Sequence, residues 1–241
     1  MYKPKLVLFD FGGTLIDDSD YRPLAASEAL RLAADNPEDT TSEILCDLWR
    51  SMDERLSHRA KSDEAGYELD VQLSGVLRNI LAVAGLRYSI DLAACEAIFD
   101  RAHSVRKATP HMAQLLQALD AAGIRTAVIS NTMMSGEAMA VAVKEHFPQS
   151  KMEFVITSAD YMFCKPAPEM FVAATKTAGV EPSECWYLGD TFGPDVVGAH
   201  GIDILPVLYE SESDIPFERK EREGKAYYVV NSWLELVKRI S

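Results

Sequence analysis

The sequence predicts an α/β protein, a doubly wound parallel sheet that carries a second, helical domain. Three observations predict it. Short apolar runs, rich in Val, Ile and aromatic residues and without period-2 alternation, recur along the chain and stop at polar or glycine residues, as strands buried on both faces do. Segments with apolar residues at helical spacing lie between these runs, and strand, helix, strand successions imply right-handed crossovers. One stretch of about ninety residues shows helical spacing and no strand, and a 241-residue chain, at roughly 150 residues per domain, has room for a core and such an insert.

The first predicted strand is Lys5 to Phe9. The insert follows, with predicted helices over Pro23 to Ala34, on the face Ile44, Leu45, Leu48 and Met52, on the face Leu73, Val76, Leu77, Ile80, Leu81 and Ala84, and more loosely on Leu92, Ile98, Phe99, Ala102 and Val105. Its two crossing points, Asp17 to Arg22 and Ser104 to Pro110, are polar and read as connections. Thr109 as N-cap, Pro110 in the first turn, the stripe Met112, Leu115, Leu116 and Leu119, and Gly123 just past the end predict the next helix. Strands then follow at Arg125 to Ile129 and Phe154 to Ile156, a helix over Pro168 to Ala178 closed by Gly179, and strands at Trp186 to Leu188, Ile204 to Leu208 and Tyr227 to Val230. Glu210 to Lys225 reads as a charged surface loop, and Trp233 to Ile240 as a closing amphipathic helix. The expected division is a core of residues 1–16 and 108–241 and a helical domain of residues 17–107, placed to act as a lid.

With 24 Lys and Arg against 37 Asp and Glu, the net charge of −13 argues against nucleic acid and anionic membrane surfaces as partners. The apolar run near the N-terminus is too short for a signal-peptide core or a membrane span, so a cytoplasmic location is expected. Cys46, Cys95, Cys164 and Cys185 are far apart without a C-x-x-C pair, which predicts reduced thiols and neither zinc site nor disulfide framework. The oligomeric state is not legible.

In an open parallel sheet, ligands bind beyond the carboxyl ends of the strands. The residues there are Asp10-Phe11-Gly12-Gly13-Thr14, then Ser130-Asn131-Thr132, then Lys165-Pro166, then Gly189-Asp190 with Asp195. In order and spacing this set resembles the four motifs of the haloacid dehalogenase-like superfamily, mostly phosphatases that pass through an aspartyl-phosphate. Asp10 and Thr14 match the D-x-D-x-T motif, Ser130 the second motif, Lys165 the lysine of the third, and Gly189, Asp190 and Asp195 the fourth. The resemblance implies a Rossmann-like core under a helical cap, and a small anionic, phosphorylated substrate. It also implies Asp10 as nucleophile, with Mg²⁺ held by Asp10, the backbone carbonyl of Gly12, Asp190 and Asp195. Thr14, Ser130, Asn131 and Lys165 would bind the substrate phosphate, and Lys165 would neutralise both a phosphate oxygen and Asp10.

Gly12 stands where the family motif has its second acid, the group that protonates the leaving group and activates water. That work is worth about 10²–10⁴-fold in rate. Three readings follow. One is a Mg²⁺-dependent phosphatase that is slow, uses another acid, or takes substrates whose leaving group needs no proton. The second is a dehalogenase-like or phosphonatase-like hydrolase, with Lys61, the only lysine between Asp17 and Arg106, as Schiff-base candidate. The third is a phosphate-binding regulatory protein. His58, Arg59 and Lys61 lie in a polar segment between cap helices, and Met133 and Met134 after Ser130 read as packing residues.

Overall fold

Leu6, Val7, Leu8 and Phe9 form β1 (Leu6–Phe9), and all four are fully buried. Leu6 and Leu8 pack into one hydrophobic cluster and Val7 and Phe9 into another, on opposite faces of the sheet. A run that serves two cores has no polar face, hence its lack of alternation. The computed structural model of the chain describes residues 1–57 and 68–240.

After β1 come β2 (Ile16–Tyr21) and the helices α1 (Pro23–Ala33), α2 (Ser42–Ser57), α3 (Leu73–Val83) and α4 (Leu92–His103). The chain continues through β3 (Ser104–Ala108), α5 (Met112–Ala121), β4 (Arg125–Ser130), α6 (Gly136–His146), β5 (Met152–Thr157), α7 (Ser158–Tyr161), α8 (Glu169–Ala178) and β6 (Cys185–Gly189). A π-helical turn at Phe192–Val197 leads into α9 (Gly198–His200), followed by β7 (Leu205–Tyr209), β8 (Phe217–Arg222), β9 (Lys225–Val230) and α10 (Leu234–Ile240).

Seven strands form the main sheet in the order β5-β4-β1-β6-β7-β9-β8, all parallel except the antiparallel edge pair β8 and β9. This is the doubly wound α/β fold predicted. One face carries α5, α6 and α10 through Met112, Leu115, Leu119, Met139, Val143, Trp233 and Leu236, and the other carries α8 through Met170, Phe171 and Ala174. The helices α1–α4 have a cluster of their own, built on Leu30, Leu45, Trp49, Leu77, Ile80 and Phe99.

The structure corrects the sequence reading at four places. The polar crossing points are not loops: β2 and β3 pair antiparallel as a separate two-stranded ribbon, and Val105 belongs to β3 rather than to a helix. Most of this ribbon is exposed, so backbone pairing rather than apolar patterning defines it and hydrophobic periodicity carries no signal. The charged segment Glu210 to Lys225 contains β8, whose Glu218, Arg219, Lys220, Glu221 and Arg222 lie on the outermost strand, where charge protects an open edge. Finally, α5 begins at Met112 behind His111, which has φ 67°. Thr109 is not its cap, because its hydroxyl donates to the carbonyl of Thr14 at 2.5 Å and accepts from the indole of Trp233 at 3.0 Å.

Candidate active site at the carboxyl edge of the sheet

β1, β4 and β6 are neighbours, so the residues following them, Asp10, Asn131 and Asp190, emerge side by side, with Ser130 ending β4. Lys165 arrives from the loop between α7 and α8. Its side chain is 2 % exposed, and the ammonium lies 2.7 Å from Asp10 Oδ1 and 2.7 Å from Asp195 Oδ1. It also donates to the Tyr187 hydroxyl at 2.6 Å. The Asp195 Oδ2 in turn accepts from the backbone amides of Asp190 at 3.2 Å and Thr191 at 2.9 Å, fixing the turn after β6. The side chain of Asn131 clamps the backbone of Lys165 from both ends, accepting from its N–H at 2.7 Å and donating to its carbonyl at 3.0 Å. Asn131 therefore positions the lysine, a use of its side chain that the motif did not reveal. Tyr187 was also missed. Its position inside an apolar, fully buried strand disguised a hydroxyl that faces the site, and only the rule that a buried tyrosine finds a polar partner could have flagged it.

Oxygen atoms of Asp10, Asp190 and Asp195 lie within 4.8 Å of one another. The Asp10 carboxyl is pushed up to about 7, by burial above all and by Asp195 and Asp190, against the downward pull of Lys165. Asp190 is raised mainly by burial and by Asp195. Burial alone would lower the Lys165 ammonium, but contact with Asp10 and Asp195 more than reverses this and raises it. Three clustered carboxylates thus share one ammonium. That surplus of hard oxygen donors and negative charge fits a divalent cation such as Mg²⁺.

Two glycines shape the rim. At Gly13, φ is +68° and an added Cβ would lie 2.1 Å from Asp190 Oδ2, so only glycine brings this loop against the carboxylate cluster. At Gly12 an added Cβ would lie 3.0 Å from Asp18 Oδ1. Asp18 is on β2, where the pairs Asp17 with Lys107 and Asp20 with Val105 leave two residues, Asp18 and Ser19, opposite the single Arg106 of β3. Such a bulge re-aims side chains. Burial raises the Asp18 carboxyl above its ordinary value, and the Arg106 guanidinium opposes the rise. Arg106 is itself held by Asp100 through a two-point ion pair.

A cavity of about 1000 Å³ opens over these groups. The sheet edge lines it with Asp10, Gly12, Ser130, Asn131, Lys165, Asp190 and Asp195, and Asp18, Trp49, Phe99, His103 and Arg106 line it from the other side. Thr14 is not in this lining; it is fully buried and its hydroxyl has no hydrogen-bond partner among the described residues. Ser130 is in the lining but 4 % exposed. Met133 and Met134 line the cavity while packing into hydrophobic clusters. His58, Arg59 and Lys61 lie outside the described residues.

The chain is similar over almost its whole length to a glyceraldehyde 3-phosphate phosphatase of Methanothermobacter thermautotrophicus, with 25 % identity over 240 residues, 96 % of this chain and 97 % of the relative. Among solved structures it resembles a HAD phosphatase from Thermococcus onnurineus (TM-score 0.59, 19 % identity, 98 % of each chain covered). It resembles equally a 2-haloacid dehalogenase from Pseudomonas syringae (TM-score 0.60, 21 % identity, 98 % of each chain). The model of the haloacid dehalogenase-like hydrolases matches residues 4–203, which include every strand-end residue described above, and the chain belongs to that family of enzymes.

Proposed function

We propose that the chain is a Mg²⁺-dependent hydrolase of small phosphorylated metabolites that passes through an aspartyl-phosphate on Asp10. The observation that carries this reading is the group Asp10, Asp190 and Asp195, its oxygens within 4.8 Å of one another, with the Lys165 ammonium against Asp10 and Asp195. Asp10, Asp190, Asp195 and the carbonyl of Gly12 would hold the cation, which supplies positive charge against the approach of a carboxylate to an anionic phosphate. In the first step a carboxylate oxygen of Asp10 forms a bond to phosphorus as the bond to the leaving oxygen breaks; in the second, water displaces Asp10. Lys165 neutralises Asp10 and one phosphate oxygen, while Ser130 and the backbone amide of Asn131 hold others. Residues 17–107 serve as a cap over the core 1–16 and 108–241, and the cavity lining from both parts supports this.

The absence of an acid at Gly12 and the likeness to a haloacid dehalogenase favour a second reading, displacement of halide, which leaves unprotonated. The surplus of carboxylates around Asp190 opposes it, since such a cluster suits a metal and phosphorus better than a halocarbon. One experiment separates the two: purified protein is given a panel of phosphate esters beginning with three-carbon aldehyde and alcohol phosphates, and 2-haloacids, with and without Mg²⁺. Phosphate release that needs Mg²⁺ and falls at least 10³-fold in Asp10→Asn is expected. Halide release without metal would overturn the proposal.

A further inference from the structure

The Asp18 carboxylate occupies the space that a side chain at position 12 would take, because an ideal Cβ built on Gly12 comes to 3.0 Å from Asp18 Oδ1 and 3.4 Å from Asp18 Oδ2. The family motif places its acid on the strand-end loop itself; here that loop offers hydrogen, and a carboxyl reaches the same place from β2. A register shift in β2 accompanies this placement. The bulge sets Asp18 and Ser19 against Arg106 alone, and within β2 the residues Asp17, Ser19, Asp20 and Tyr21 are exposed while Asp18 is drawn inward.

Three other carboxylates of the cavity wall are held by neighbours. Asp17 accepts from the Ser19 hydroxyl at 2.8 Å, Asp100 holds Arg106 by two bonds, and Asp70 accepts from Ser158 at 2.6 Å.

We propose that Asp18 is the acid and base missing from the first motif. As Asp10 bonds to phosphorus and the bond to the leaving oxygen breaks, the Asp18 carboxyl gives its proton to that oxygen, which departs as an alcohol. The resulting Asp18 carboxylate then takes a proton from water as the water oxygen bonds to phosphorus and Asp10 leaves, so that inorganic phosphate is released and Asp18 is again protonated. The inference rests on the phosphatase reading above. It gives Gly12 a purpose, since a side chain there would compete with Asp18 for one volume.

The test compares an alkyl phosphate, whose alkoxide needs a proton, with p-nitrophenyl phosphate, whose phenolate does not. In Asp18→Asn, single-turnover cleavage of glycerol phosphate should fall about 10²-fold or more, the range removal of a proton donor produces. With p-nitrophenyl phosphate the same variant should release a burst of nitrophenolate and then turn over slowly, as the phosphoenzyme waits for an activated water. Equal loss in the glycerol phosphate step and in the nitrophenolate burst would make Asp18 structural and overturn the proposal, as would a wild-type rate on glycerol phosphate. A second pair guards against misfolding: Gly12→Asp/Asp18→Ala, in which position 12 inherits the vacated volume, should exceed Asp18→Ala at least tenfold on glycerol phosphate, and equal rates would overturn the shared-position argument. Wild-type protein inactive on both esters with Mg²⁺ would remove the phosphatase reading itself; wild-type activity indifferent to Asp18 would remove only this inference.

Discussion

Lys165 is the residue on which the site's electrostatics turn, because one buried ammonium meets Asp10 and Asp195 at 2.7 Å each. Removing one partner of a buried pair strands the other charge, at a cost of about 3–5 kcal/mol. Lys165→Met should therefore lower unfolding free energy by about that amount in metal-free protein, measured by urea denaturation, as well as abolish turnover. An unchanged midpoint would show that the carboxylates do not depend on it. At this scale the sequence revealed Asp10, Lys165, Asp190 and Asp195, since chemistry repeated at successive strand ends leaves a pattern in order and spacing. It did not reveal Tyr187, Asp18 or the clamp formed by the Asn131 side chain. Each of these depends on which way a side chain points from its strand or loop, and spacing carries no such information.

The parallel strands were legible because burial on both faces writes itself as unbroken apolar runs, as in β1 and β6. By contrast β2, β3 and β8 were illegible. They are solvated and charged, and what makes them strands is hydrogen bonding to a partner distant in sequence, as between Asp17 and Lys107. The bulge in β2 is likewise a property of pairing. Deleting Ser19 would leave Asp18 alone opposite Arg106 and restore regular register, so the carboxylate would lose its inward aim. The expected result is a variant that melts within a few degrees of wild type, followed by circular dichroism, yet is impaired on alkyl phosphates as Asp18→Asn is. Full activity after the deletion would show that the bulge does not aim Asp18.

At the scale of the whole molecule, separate hydrophobic clusters flank the sheet and a further one sits among α1–α4. Leu77, fully buried in the latter, should cost about 2–5 kcal/mol when truncated to Ala, read by chemical denaturation. Because that cluster is packed apart from the sheet, the loss should appear as a shift of an early transition monitored by Trp49 rather than of the sheet's own unfolding, and a single coincident transition would show that the two parts unfold together. The chain passes between these parts through β2 and β3, whose ends meet where the amide of Arg22 donates to the carbonyl of His103 at 2.6 Å. The consequence is modularity. The helical segment starts and finishes at adjacent points, so Tyr21 and Ser104, already paired across the ribbon, are close enough for a two-residue turn to join them. Eighty-odd residues can thus be exchanged or shortened at this junction without altering the order of any strand in the main sheet, which leaves the carboxyl edge of the sheet and the helical segment free to change independently.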